Sequence, residues 1–407
     1  MTPGQPYLPR GTERLHSAFS PPKNWRSELK IWWREVDRVL LGLIGLLMIC
    51  GLFAVAAGSP ASAARLSTAE VTLSPLRFFW MHAAFLALGV GVMLGISMLP
   101  QKTVRQGGIL LGAVMIVLLL LVPIIGSEVN GAKRWINLGI RFQPSEFLKP
   151  AFAIMLAWIL SWRLRDPTMP VMALAGILTG LVALLLMLQP NFGDAVLFAA
   201  VFVIAVFLSG LPLQLLAWLG GFGLLLVSAA YIFYDNARHR IDSFLGGGTA
   251  FDQVDLAERA LLGGGWTGTG MRLGTEKMRL PEAHTDYVFS VIGEEFGLVA
   301  CAVIVVLFLA IILRVLSRLM DEENLFTILA ATGLTALFGG QAFINILVNL
   351  QLFPSKGMTL PLVSYGGSST VAICLTLGAL LAITRRNPFL QRERFDWRAL
   401  LPKGLAR

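Results

Sequence analysis

Of the 407 residues, 56% are hydrophobic and only 14% are charged, with a mean hydropathy of +0.72. Soluble domains carry about a quarter charged residues, so a water-covered globule is excluded. The formal charge of +9 gathers in clusters between alternate apolar runs, at Lys102 and Arg105, Arg163 and Arg165, and Arg314 and Arg318; this positive-inside pattern excludes nucleic acid as the reason for the charge.

In chain order, a basic tail over 1–38 (Arg10, Arg14, Lys23, Arg26, Lys30, Arg34, Arg38) precedes the first apolar run at 39–58. That run is long enough to cross a bilayer, so it is expected to stay in the protein as a signal anchor. Runs follow at 78–98 and 108–126, then from the polar stretch ending at Glu146 to Trp162, then on either side of QPNFGDA at Gln189-Pro190. A seventh lies at about 212–234 and the last three at about 287–313, 325–348 and 370–383, before a basic tail over 385–407. At about 20 residues per span this predicts an all-α polytopic membrane protein of about ten transmembrane helices. An even number puts both tails on one side, and their basic content makes that side the cytoplasm. Residues 39–384 then form the membrane domain, with 235–286 as a long extracytoplasmic loop between the seventh and eighth helices. Within the loop, AFDQVDLAERALL has helical spacing at Leu256, Ala260 and Leu261, which predicts a short surface helix between glycine runs at 246–248 and 263–265. Cys50, Cys301 and Cys374 lie inside apolar runs, so no disulfide framework is expected.

The polar segments assigned to the outer face hold the candidate chemistry. After the third run come Lys133, Arg134 and Trp135, then Glu146 and Lys149 at a spacing that pairs on one helix face. This set reads as a snorkelling interface belt or as a cationic rim that grips phosphate. Arg238 and Arg240 open the long loop, and Arg272, Lys277 and Arg279 precede LPEAHTDYVFSVIGEEFG. Positive charge outside opposes the topological bias; anionic headgroups or a polyanionic ligand would account for it. Asp286, beside His284, opens the eighth run. It is either a helix N-cap or a general base at the water edge. Glu294 and Glu295 lie two turns deeper, roughly 12 Å along the helix, where ionisable groups are expensive; pairing with other buried polar groups is expected. His16, His82, His239 and His284 have no metal-ligand spacing.

NGAKRWINLG with QPSEFLK, QPNFGDA, GGGWTGTG, LPEAHTDYVFSVIGEE and INILVNLQLFPSKGMTLPLVSYGGSS resemble, in order and spacing, the SEDS family of shape, elongation, division and sporulation proteins, over nearly the whole chain. Ser355-Lys356-Gly357 and Thr359 resemble the division member more than the elongation member. The resemblance implies a bacterial inner-membrane glycosyltransferase that polymerises lipid II during septal wall synthesis. It places the essential aspartate at Asp286 and basic, substrate-binding positions at Arg134, Lys149, Arg240, Lys277 and Lys356, with His284 in the same triplet as the aspartate. Glu146, Glu294 and Glu295 are expected to serve a polar network. It also implies a cognate class B penicillin-binding protein that cross-links the strands, other divisome membrane proteins, and a divalent cation (Mg or Mn) of unassigned ligands. The chain departs from the family where the usual aspartate reads Asn191, with the acidic residue three positions on at Asp194. A lipid II flippase and a non-catalytic divisome scaffold stay open as alternatives. The flippase leaves unexplained why so much specific wording falls on one face.

Overall fold

The structure, a computed structural model, describes residues 25–68, 70–129, 132–137, 141–166, 168–210, 253–354 and 357–386, with scattered positions between 220 and 246. The chain divides into two compact units, Val39–Thr384 and the termini Met1–Arg38 with Arg385–Arg407. In the terminal unit, helix α1 (Trp25–Glu35) ends on Glu35, which pairs with Arg385 at 3.1 Å.

The larger unit is helical. Its elements in chain order are α2 (Arg38–Leu66), α3 (Arg77–Ser97), α4 (Gln101–Ile125), strands β1 (Ser127–Val129), β2 (Ala132–Asn137) and β3 (Arg141–Phe142), then α5 (Pro144–Ser161), α6 (Val171–Met187) and α7 (Phe192–Leu208). After them come α8 (Gln253–Gly263), α9 (Val288–Leu319), α10 (Leu325–Asn349) and α11 (Ser368–Ile383). Among the described residues α2, α3, α4, α5, α9 and α10 are long and apolar enough to cross a membrane, and α6, α7 and α11 are shorter apolar helices. The protein is a multi-pass membrane protein. These helices follow the expected runs in order, and the break between the fifth and sixth falls at Gln189-Pro190. The expected seventh run lies largely outside the described residues, and the count of ten with it.

Lipid is as apolar as leucine, so small residues rather than hydrophobic contrast let such helices close. On α4, Gly108 sits against Ile154 and Gly112 against Met155 of α5, while Leu110, Val117, Leu120 and Ile124 are exposed on the outside of the unit. On α2, Gly51 sits against the backbone of Leu362 and Gly58 against Ala283 and His284. The alanine-rich stretch of α2 is therefore the wall on which the HTD triplet leans.

Two features depart from a plain helical expectation. The loop after α4 folds into a three-stranded antiparallel sheet, in which Glu128 pairs with Lys133 and Ile136 with Phe142. Ile136 is buried there, and Phe142 stacks on Phe147 at 4.8 Å, anchoring the sheet on α5. The second is a break in α9 at Gly297 (φ 82°). The segment 264–270 packs into it: Thr269 N–H donates to Glu294 O at 2.9 Å, Gly270 N–H to Glu295 O at 3.0 Å, and Leu298 N–H to Gly265 O at 3.0 Å. Gly268, also left-handed at φ 82°, lies so close to the Glu295 carbonyl that no side chain fits. That contact accounts for Gly268, and the close approach of Gly264 to the Gly293 carbonyl accounts for a second glycine of GGGWTGTG. The expected surface helix is α8, but its inner face is Ala257, Ala260 and Leu261 rather than Leu256, which is only partly buried.

Candidate active site

Asp286 is half-buried just ahead of α9. The N-cap position of that helix falls on Tyr287, which makes no side-chain cap. The third N–H of the helix, on Ser290, instead donates to Asn349 Oδ1 of α10 at 3.2 Å, and Ser290 Oγ donates to the same oxygen at 2.7 Å. Asp286 is held by its main chain: Asn345 Nδ2 donates to its carbonyl at 2.8 Å and Asn349 Nδ2 at 3.1 Å. Asn345 Nδ2 also donates to Met358 O at 2.6 Å. A Cβ built on neighbouring Gly357 would lie 3.2 Å from Asp286 Oδ2, so the carboxylate faces the extended segment before α11. Lys356, on that segment, and Arg240 lie outside the described residues.

His284 is nearly fully buried, its ring 4.1 Å from Phe78 and stacked on Tyr365 at 5.5 Å. Burial pushes its imidazole down from the usual 6.5 to about 4, with Glu282 opposing weakly, so the ring is neutral at pH 7. Its carbonyl accepts from Tyr365 N–H at 2.9 Å, which joins the HTD triplet to the SYGGSS segment.

Glu146 and Lys149 belong to a closed ring of buried polar groups, which Glu294 and Glu295 do not join. Lys149 Nζ meets Glu146 Oε1 at 2.6 Å, Gln341 Oε1 at 3.0 Å and Asp194 Oδ1 at 3.4 Å. Gln341 Nε2 donates to Thr359 O at 3.0 Å, Thr359 Oγ1 lies 3.1 Å from Ser369 Oγ, and Ser369 Oγ donates to Glu146 Oε2 at 2.8 Å. One ring thus ties α5, α7, α10 and α11 to the segment beside Asp286. The displaced carboxylate fits it: Asn191 is the N-cap of α7, and its Nδ2 donates to Asp194 Oδ2 at 2.7 Å one turn later.

Two cations expected at a phosphate rim have internal partners. Arg134 Nε donates to Gln189 O at 3.0 Å and Nη2 to Pro190 O, docking the sheet on the break before α7. Lys277 is buried with its ammonium against Glu295. The carboxylate of Glu294 accepts from Glu276 N–H at 2.7 Å and Lys277 N–H at 2.8 Å. Both glutamates therefore fasten the 275–279 turn to α9.

Gln341, Asn345 and Asn349 escaped the reading of the sequence. Their signal was present: three carboxamides at intervals of four line one face of an otherwise apolar helix.

A model of the FtsW, RodA and SpoVE cell cycle proteins matches residues 37–388. A protein of Caulobacter vibrioides, named probable peptidoglycan glycosyltransferase FtsW, is 37% identical over 89% of this chain and 93% of its own length. One of the same name from Halorhodospira halophila is 36% identical over 86% and 90%. Among solved structures, a chain of a peptidoglycan synthase complex that coordinates polymerization and crosslinking superposes with a TM-score of 0.71 at 27% identity, covering 86% of this chain and 97% of that one. The rod shape determining protein RodA of Thermus thermophilus gives 0.65 at 27% identity with the same coverage. The chain belongs to the FtsW, RodA and SpoVE family of cell cycle proteins.

Proposed function

We propose that this chain is a peptidoglycan glycosyltransferase that polymerises lipid II during septal wall synthesis, with Asp286 as its general base. The names of its relatives support the reaction class. The observation that carries the site is that Asp286 has its main chain gripped from α10 while its carboxylate faces the 357–359 segment. The reaction joins the 4-hydroxyl of one precursor's N-acetylglucosamine to C1 of another's muramic acid. As the new O–C1 bond forms, Asp286 takes the hydroxyl proton and the C1–O bond to the lipid diphosphate breaks.

Charge then develops on the leaving diphosphate, where fixed cations contribute most. Lys149 and Lys277 are engaged with buried carboxylates and serve the frame. Arg134, on the central strand of the sheet and bonded to the Gln189 and Pro190 carbonyls, and Arg240 and Lys356 are the candidates for the diphosphate. Among the described residues no three His, Cys, Asp or Glu side chains converge on one point; the divalent cation is proposed as an ion that would bridge the diphosphate oxygens with one or two protein carboxylates, as Mg-type sites do.

In this proposal the protein works in the bacterial cytoplasmic membrane at the septum, with both termini inside, beside a class B penicillin-binding protein and other divisome proteins. The synthase complex among its structural neighbours supports such a partner. The test is polymer synthesis from lipid II by detergent-solubilised protein with a cross-linking-dead partner. A polymerase makes glycan there, with no membrane to cross. Translocation of lipid II in liposomes with no polymer in detergent would favour a flippase, and neither activity a scaffold.

A further inference from the structure

Three carboxamides, Gln341, Asn345 and Asn349, stripe one face of α10 and are buried. A primary amide in an apolar helix is costly unless its hydrogen bonds are made, and each is spent on the segments around Asp286. Asn345 bridges two carbonyls, that of Asp286 itself and that of Met358, next to the Gly357 that the Asp286 carboxylate faces. Asn349 adds a second donor to the Asp286 carbonyl, and its oxygen caps α9. Its Nδ2 also donates to Asn345 O at 2.9 Å, within one helix. Two side chains from a rigid helix thus converge on one carbonyl, a bond pattern that fixes the height and rotation of Asp286 relative to the 357–359 segment.

We infer that Asn345 and Asn349 are positioning residues of the glycosyl transfer, setting the main chain of Asp286 so that its carboxylate meets the acceptor hydroxyl. The inference rests on Asp286 being the base. Neither asparagine touches substrate; both act through the aspartate. A pair that only held helices together would affect stability and leave the turnover of folded enzyme unchanged. A pair that aims the base affects kcat, because a misplacement of about 1 Å costs roughly 100-fold.

The experiment measures kcat and KM for lipid II polymerisation, in detergent with the partner, for Asn345→Leu, Asn349→Leu and Ser290→Ala, with and without Asp286→Asn. Leucine is nearly isosteric and removes the donor without adding charge. Ser290→Ala removes one bond to Asn349 but leaves the Asp286 carbonyl held, and is expected to keep its kcat. Each leucine variant is expected to lose roughly 10- to 100-fold in kcat with KM unchanged, and to add no loss in the Asp286→Asn background, because groups acting as one unit are not additive. Should Asn349→Leu fail to fold through loss of the cap, Asn345→Leu, which leaves the cap in place, decides alone. Normal kcat in folded Asn345→Leu, or the same factor lost again in the Asp286→Asn background, overturns the inference while the base assignment stands. An active Asp286→Asn enzyme overturns the base assignment itself, and the positioning role with it.

Discussion

His284 and Asp286 are two residues apart and do different work. The imidazole is sealed between Phe78 and Tyr365 and stays neutral because burial holds it near 4. Between pH 6.5 and 4 the unfolded chain takes up a proton that the folded one refuses, so this residue makes stability fall as pH drops through that window. His284→Phe is expected to flatten the decline by at most about 1.4 kcal/mol per pH unit, one proton's worth, in chemical denaturation followed from pH 7 to 4. An unchanged slope would show that the ring is not held neutral. The HTD triplet stood out in the sequence as a candidate because its wording is specific, whereas the choice between cap and base was not legible there. Any aspartate at a helix start satisfies the capping rule, and it takes the position of Asn349, 63 residues away in sequence, to show where the N–H of Ser290 donates.

At the scale of elements, close backbone approach and buried charge set the tolerances. A methyl group on Gly264 would fall on the carbonyl of Gly293, so Gly264→Ala is expected to cost about 1–3 kcal/mol, the usual range for overpacking, read as a lower melting temperature. Wild-type melting would show that the 264–270 segment does not seat in the α9 break. Lys149 balances two carboxylates, and Lys149→Met would strand both Glu146 and Asp194, a change expected to cost about 3–5 kcal/mol. Adding Glu146→Gln and Asp194→Asn should recover much of it. No recovery in the triple variant would mean that Lys149 matters through shape rather than charge. The pairing of Glu146 with Lys149 was legible from their spacing. The contribution of Asp194 was not, because it comes from α7, whose approach to α5 is a tertiary fact that spacing along one helix does not contain.

For the whole molecule, the apolar runs foretold the succession of helices, since span length is fixed by the bilayer rather than by context. The sheet after α4 was hidden because its strands are short, and the α9 break because one glycine in a long apolar run looks like any other. Orientation is a further matter, argued from basic clusters. A cysteine introduced at Thr275 should react with an impermeant thiol reagent outside intact cells and one at Ser317 should not. Labelling at both, or at Ser317 alone, would reverse or break the proposed topology. The central claim is that a carboxylate at position 286 removes the proton in glycan polymerisation. It is tested most directly by the initial rate at which purified Asp286→Asn protein, with its partner, lengthens glycan from lipid II. Asparagine keeps the size of aspartate and caps about as well, so the account predicts a folded, partner-bound protein whose rate falls by roughly 10²–10⁴-fold; a rate near that of the unmodified protein would contradict it.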